Sequence, residues 1–366
     1  MFKSRGWIPA TVVLVLLVLQ WINASPLGDV EGKYTDHLRH EVEALAFVSR
    51  GFVVYREPYR QFADGLWPCA DHRALFDERT APYPPLGILL HWPVARLESG
   101  GMITAYNAHR LLGALWMGAG LLSFLVVRRL VDEWKAADWI TYGALLAPLL
   151  VGAGANGFYD TTYFLMGVSA LLCLKKDRTL PAGLLLGLSV AMSFRAIVFA
   201  PLGLWAIARS LEAGYGRAFR ILLVSVPWVA FSAASAWALG GSLEVIPAES
   251  PVHFSRVVQG EPAAVTFVAL GVGLIAWLLV RGYRWTGLSV LSMTLVVLLD
   301  RSLGFWHALP YFVPGLVFAV EAPRASARAR WLALLFLLCG LTLGFRGPTR
   351  PSWGWLRTRI TQLAHP

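Results

Sequence analysis

WIPATVVLVLLVLQWIN (Trp7–Asn23) is followed almost at once by SPLGDVEGKYTDHLRH (Ser25–His40), and the contrast between these two stretches decides the fold. The first is apolar and long enough to cross a ~30 Å hydrocarbon core as a helix. The second opens an acid-rich, water-soluble stretch running to Pro82, and mostly apolar segments follow it. Lys3 and Arg5 precede the apolar run as they would in a secretory leader. Pro26 directly after Asn23-Ala24-Ser25 makes a poor cleavage site, so an uncleaved first membrane helix is expected.

Composition agrees. The hydrophobic fraction is 57%, the charged fraction 15% and the mean hydropathy +0.57, against about 25% charged residues in a soluble domain. The expected class is an all-α polytopic integral membrane protein. Its crossings are read as Trp7–Asn23, Asn107–Val127, Trp139–Ala153, Tyr159–Leu174, Leu180–Met192, Ala196–Ala208, Ala218–Leu239, Ala263–Val280, Trp285–Leu299, Phe305–Val320 and Trp331–Phe345, about eleven in all. Leu180–Met192 and Ala196–Ala208 are short enough to be broken or tilted. The whole of 1–366 reads as one membrane domain, with 24–106 as its first extracytoplasmic loop.

Basic clusters fall at alternate connections: Lys3/Arg5, Arg128/Arg129/Lys135, Lys175/Lys176/Arg178, Arg209/Arg217/Arg220, Arg281/Arg284 and Arg324/Arg328/Arg330. Short loops rich in Lys and Arg stay cytoplasmic. The formal net charge of +10 is therefore topology, not a nucleic-acid footprint. The tail with Arg346, Arg350, Arg357 and Arg359 breaks the alternation, since eleven crossings place it outside. Cys173 and Cys339 lie in apolar segments, leaving Cys69 without a disulfide partner in the outer loop.

Within the loop, Leu38, Val42, Leu45, Ala46 and Val48 or Ser49 recur near a helical spacing, with Arg39, His40, Glu41, Glu43 and Arg50 between them. This predicts an amphipathic helix lying along the membrane plane, ended by Gly51. A second such element is expected from Tyr83-Pro84-Pro85-Leu86 to Leu97, because prolines suit a helix start. Together the two would roof a cavity at the outer leaflet.

These segments, in this order, resemble the GT-C superfamily of membrane glycosyltransferases. The similarity is nearest to bacterial polyprenol-phosphate-mannose-dependent mannosyltransferases and to the first mannosyltransferase of glycosylphosphatidylinositol assembly. Tyr34-Thr35-Asp36 sits where that family keeps its catalytic acid, Gly51–Tyr55 with Pro58 looks like its "G…Y…P" segment, and Tyr83-Pro84-Pro85-Leu86 with Pro93 like its "YPPL…P" element. Asn156-Gly157-Phe158-Tyr159-Asp160 and the later Ala182–Leu188 run, AGLLLGL, look like its "NGxxD…aGLLLGL" pattern. The chain departs from the family at Leu38, where the glycosylphosphatidylinositol enzymes have the second acid of a D-x-D, and at Arg195, where a Lys is frequent.

The resemblance implies an inverting enzyme that moves a sugar, mannose at family level, from a polyprenyl-phosphate donor to a lipid or glycan acceptor at the extracytoplasmic face of the plasma membrane. With a phosphate already a good leaving group, such a site needs one carboxylate as general base and a cation on the phosphate. Asp36 or Asp29 is the candidate base, unless both are merely acids of a solvated loop. Tyr34 and Tyr83 are candidate substrate contacts, as are Asp160, which would equally cap a helix, and Arg195, which would equally pair with Asp160 or Glu244. His307 is a further candidate or an interfacial anchor. No cofactor or obligatory metal is expected, because HExxH, paired cysteines and Walker motifs are absent from the sequence.

A secondary transporter or lipid flippase would share the helices but has no need of so long a polar first loop. A glycan polymerase of the O-antigen type would carry its large loop in the second half, where 240–262 is far shorter.

Overall fold

The computed structural model describes Val15 and residues 36–57, 83–130, 160–212, 214–239, 262–299, 313–318 and 325–345. Their regular structure is helical, with no strand among them. The chain divides into two compact units, Met1–Pro247 and Ala248–Pro366.

The first unit begins with α1 (Asp36–Arg50), closed by a 3-10 turn over Gly51–Tyr55. Gly51 has φ +63°, the left-handed geometry that ends a helix and that glycine adopts without strain. Pro84 and Pro85 start α2 (Pro85–Leu89), as expected. The helix stops there because Pro93 cannot continue it, since its ring would collide with the carbonyl four residues back. The chain restarts as α3 (Trp92–Ser99), with Pro93 in the first turn. Long helices follow: α4 (Ala105–Leu130), α5 (Asp160–Lys175), α6 (Thr179–Met192), α7 (Ala200–Glu212) and α8 (Tyr215–Leu239). The expected crossing Ala196–Ala208 is not one α-helix. A 3-10 turn spans Phe194–Phe199, and Pro201 falls in the first turn of α7.

Hydrogen bonds fix the helix directions. Thr161 Oγ1 donates to the Trp116 carbonyl at 2.9 Å and Lys175 Nζ to that of Leu130 at 2.8 Å. Both links join residues forty-five apart, so α4 and α5 run parallel. Ser189 Oγ donates to the Tyr163 carbonyl at 2.8 Å across the antiparallel α5–α6 pair. Gly183 and Gly187 bring α6 against α8 at Ile221 and Ser225, the small-xxx-small spacing that lets two helix backbones approach closely.

These directions gather the C-terminal ends of α4, α5 and α7 with the N-terminal ends of α6 and α8. Arg129, Lys175, Lys176, Arg178, Arg209, Arg217 and Arg220 all fall at that end, where Arg209 pairs with Asp177 at 3.1 Å. The opposite end carries the start of α5, the 3-10 turn after α6, and α1, α2 and α3 packed against it.

Arg110–Val127 of α4, Tyr215–Ala234 of α8 and Pro262–Val280 of the second unit are long and apolar enough to cross a membrane. Thr161–Lys175, Thr179–Met192 and Arg284–Leu298 are shorter apolar helices. On α8, Phe219, Leu223 and Val226 are exposed, an apolar surface of the kind that a bilayer covers.

The second unit holds α9 (Pro262–Val280), α10 (Arg284–Leu299) and α11 (Ala327–Phe345), in mutual contact. Gly271 lies under Thr294 and Phe336 and Gly340 under Met293, and Phe267 stacks on Phe336 at 4.1 Å between centroids.

Candidate functional site

The site is built from α1 outward. An unbroken run from His40 to Ala46 is buried, and exposure resumes only at Val48, Ser49 and Arg50. The expected amphipathic helix forms, and in it His40, Glu41 and Glu43 are buried together with the apolar residues. α2, α3, α4 and the Gly51–Tyr55 turn all pack on α1 and cover it on several sides. Burying polar groups this thoroughly is costly unless they are satisfied, and here they fall into two sets.

The first set is a line of rings. His40 and Glu43, three residues apart on one face of α1, bond through Nδ1 and Oε2 at 2.9 Å. A carboxylate can only accept, so Nδ1 carries the hydrogen of this bond. Tyr83 meets His40 edge-on at 4.6 Å between centroids, and His91 lies 4.8 Å from His40. His91 in turn stands 5.2 Å from Trp116 of α4. Its Nδ1 donates to the Gly87 carbonyl at 3.1 Å. Burial, reinforced by the neighbouring His40, holds the His91 imidazole well below the usual histidine range and therefore neutral. The Trp116 carbonyl receives Thr161, the residue after Asp160.

The second set is a pair of carboxyl groups. Glu41 of α1 and Glu98 of α3 are 3% and 6% exposed, on two helices that pack together. Glu41 Oε1 and Glu98 Oε2 meet no hydrogen-bond donor among the described residues. Loss of water, and then the facing carboxyl, raises Glu41 well above the ordinary carboxylate range, and burial raises Glu98 also. Two carboxyls close together in a dry setting resist ionising both at once.

Of the residues expected to form a site, Tyr83 is in the ring line, and Asp36 opens α1 one turn before His40. Asp160 opens α5 at the level of Trp116. Arg195 is half-buried in the Phe194–Phe199 turn, its amide donating to Ser193 Oγ at 3.3 Å. That turn packs on α5, α6 and α7 at the same end of the unit. Asp29, Tyr34 and His307 lie outside the described residues. Among the described residues, no group of three or more His, Cys, Asp or Glu side chains is placed to hold a metal.

His40, Glu41, Glu43, His91 and Glu98 were missed as site residues. A signal for some of them exists in the sequence. Glu41 stands four before Leu45, and Glu98 four after Val94, so each acid occupies the apolar face of its own helix. The three-residue spacing of His40 and Glu43 is that of a side-chain pair.

Comparison of the chain with protein-family models, with curated proteins and with solved structures finds no match.

Proposed function

We propose that the chain is a membrane glycosyltransferase of the GT-C kind, moving a sugar from a polyprenyl phosphate to an acceptor hydroxyl with inversion. The observation that carries this reading is the hydrogen bond from Tyr55 to the Tyr83 carbonyl, 2.7 Å long. It joins the "G…Y…P" and "YPPL…P" segments on which the resemblance rests. The site end lies opposite the basic end, which supports an extracytoplasmic active face under the rule that basic loops stay inside.

In this reading about eleven helices cross the membrane. The acceptor oxygen attacks the anomeric carbon from the face opposite the phosphate, and the bond to the phosphate oxygen breaks with its electron pair. Asp36 or Asp29 takes the hydroxyl proton. Arg195 neutralises the charge gathering on the departing phosphate, which its planar fork is suited to bind.

The test is incubation of purified protein with a panel of polyprenyl-phosphate sugars and a lipid-extract acceptor. Turnover of one donor is expected, mannose being the first to try. No transfer from any donor, together with substrate counterflow in proteoliposomes, would replace this reading with a transporter.

A further inference from the structure

Gly183 lies against Ile221 and Gly187 against Ser225, each pair thirty-eight residues apart, so α6 and α8 run parallel and Arg217 stands level with Thr179, the residue after Arg178. Arg209, near the end of α7, reaches Asp177 and joins the same corner. Lys176, Arg178, Arg209, Arg217 and Arg220 are all exposed there. Among the described residues, the acids of these turns are Asp177, paired with Arg209, and Glu212. From 128 to 138 the sequence adds Arg128, Arg129 and Lys135 as well as Asp132, Glu133 and Asp138, which leaves the balance basic.

An apolar stripe continues from these charges along α8. Tyr215, Phe219, Leu223 and Val226 recur at four, four and three residues, which places them on one side of the helix, and all four are exposed. Arg220 flanks the stripe, three residues from both Arg217 and Leu223. From Phe219 to Val229, also exposed, the helix rises ~15 Å, half the depth of a ~30 Å hydrocarbon core.

We propose that this corner binds an anionic phospholipid, with its phosphate on Arg217 and Arg220 and its acyl chains along the α8 stripe, in the leaflet at the basic end. Guanidinium groups suit phosphate oxygens, and basic surfaces beside membrane helices attract acidic headgroups. A choline headgroup would bring its own cation against these arginines, so charge selects the anionic class. One leaflet's depth of apolar surface under the charges fits a lipid and not a free anion. The site is separate from the Tyr83–His40–His91 line and does not depend on the reaction catalysed.

Purified protein titrated with phosphatidylglycerol or phosphatidylcholine in mixed micelles, with bound lipid read by native mass spectrometry, tests this. Wild type should retain phosphatidylglycerol in preference. Each basic residue at an anionic surface contributes about fivefold, so Arg217→Gln with Arg220→Gln should lower phosphatidylglycerol affinity about thirtyfold. Lys176→Gln with Arg178→Gln is the alternative pair should the first misfold. Arg56→Gln with Arg96→Gln removes the same charge from exposed positions on the elements packed at the opposite end, and should leave retention unchanged. Excess inorganic phosphate at constant ionic strength should not displace the lipid. Equal wild-type retention of the two lipids, undiminished retention in a folded glutamine pair, an equal loss in the opposite-end pair, or displacement by phosphate would overturn the site.

Discussion

Tyr55 Oη lies 2.7 Å from the carbonyl oxygen of Tyr83 and donates a hydrogen bond to it, closing a loop of twenty-eight residues. The phenol is buried and the carbonyl belongs to the residue whose ring meets His40. One contact thus sets where the start of α2 stands relative to α1. Tyr55→Phe keeps the ring but removes the donor and leaves a carbonyl unsatisfied, a loss of about 1–3 kcal/mol. The expected result is a lower thermal midpoint in detergent, with transfer activity reduced but not abolished. A midpoint equal to wild type would show that Tyr83 is positioned by other contacts.

Asp36 begins the helix whose next turn carries His40. Asp36→Asn preserves shape and removes a proton acceptor, so transfer should drop about a hundred-fold or more while the protein still folds and inserts. Asp29→Asn is measured beside it. Loss in Asp29→Asn with a nearly active Asp36→Asn moves the base to Asp29, and full activity in both removes the glycosyltransferase reading.

Arg195 sits at the seam where α6 gives way to a 3-10 turn before α7. As a phosphate contact it should tolerate Lys as a point charge better than Gln. Donor saturation should weaken in Arg195→Gln far more than acceptor saturation. Unchanged donor dependence in a folded Arg195→Gln protein contradicts the phosphate role. Instability rescued by neutralising Asp160 or Glu244 would mark an ion pair instead.

At Gly187 the backbones of α6 and α8 are close, and an added Cβ would stand 3.0 Å from the backbone of Ser225. Backbone cannot yield as a side-chain tip can, so Gly187→Leu should cost about 1–3 kcal/mol or more by overpacking. Thermal unfolding of the variant beside Gly216→Leu, at an open position, separates packing from glycine loss.

Length and hydropathy alone determined that Asn107–Val127, Ala218–Leu239 and Ala263–Val280 are helices of membrane-crossing character, because spanning a hydrocarbon layer demands an apolar run that no folding partner is needed to explain. Punctuation was equally local: Gly51 ends α1 and Pro84-Pro85 begins α2 through backbone geometry that neighbouring residues fix. Alternating bases foretold one basic end of the first unit. The inside of α1 was not legible. Periodicity marks one apolar stripe, but whether the other face meets water or protein depends on what packs there, and α2, α3 and α4 lie from thirty-five to ninety-four residues downstream. Only the tertiary structure could bury Glu41 and Glu98 on packed helices and bring His40 to Tyr83 and His91, since a buried polar group owes its tolerance to partners that chain-local chemistry does not specify.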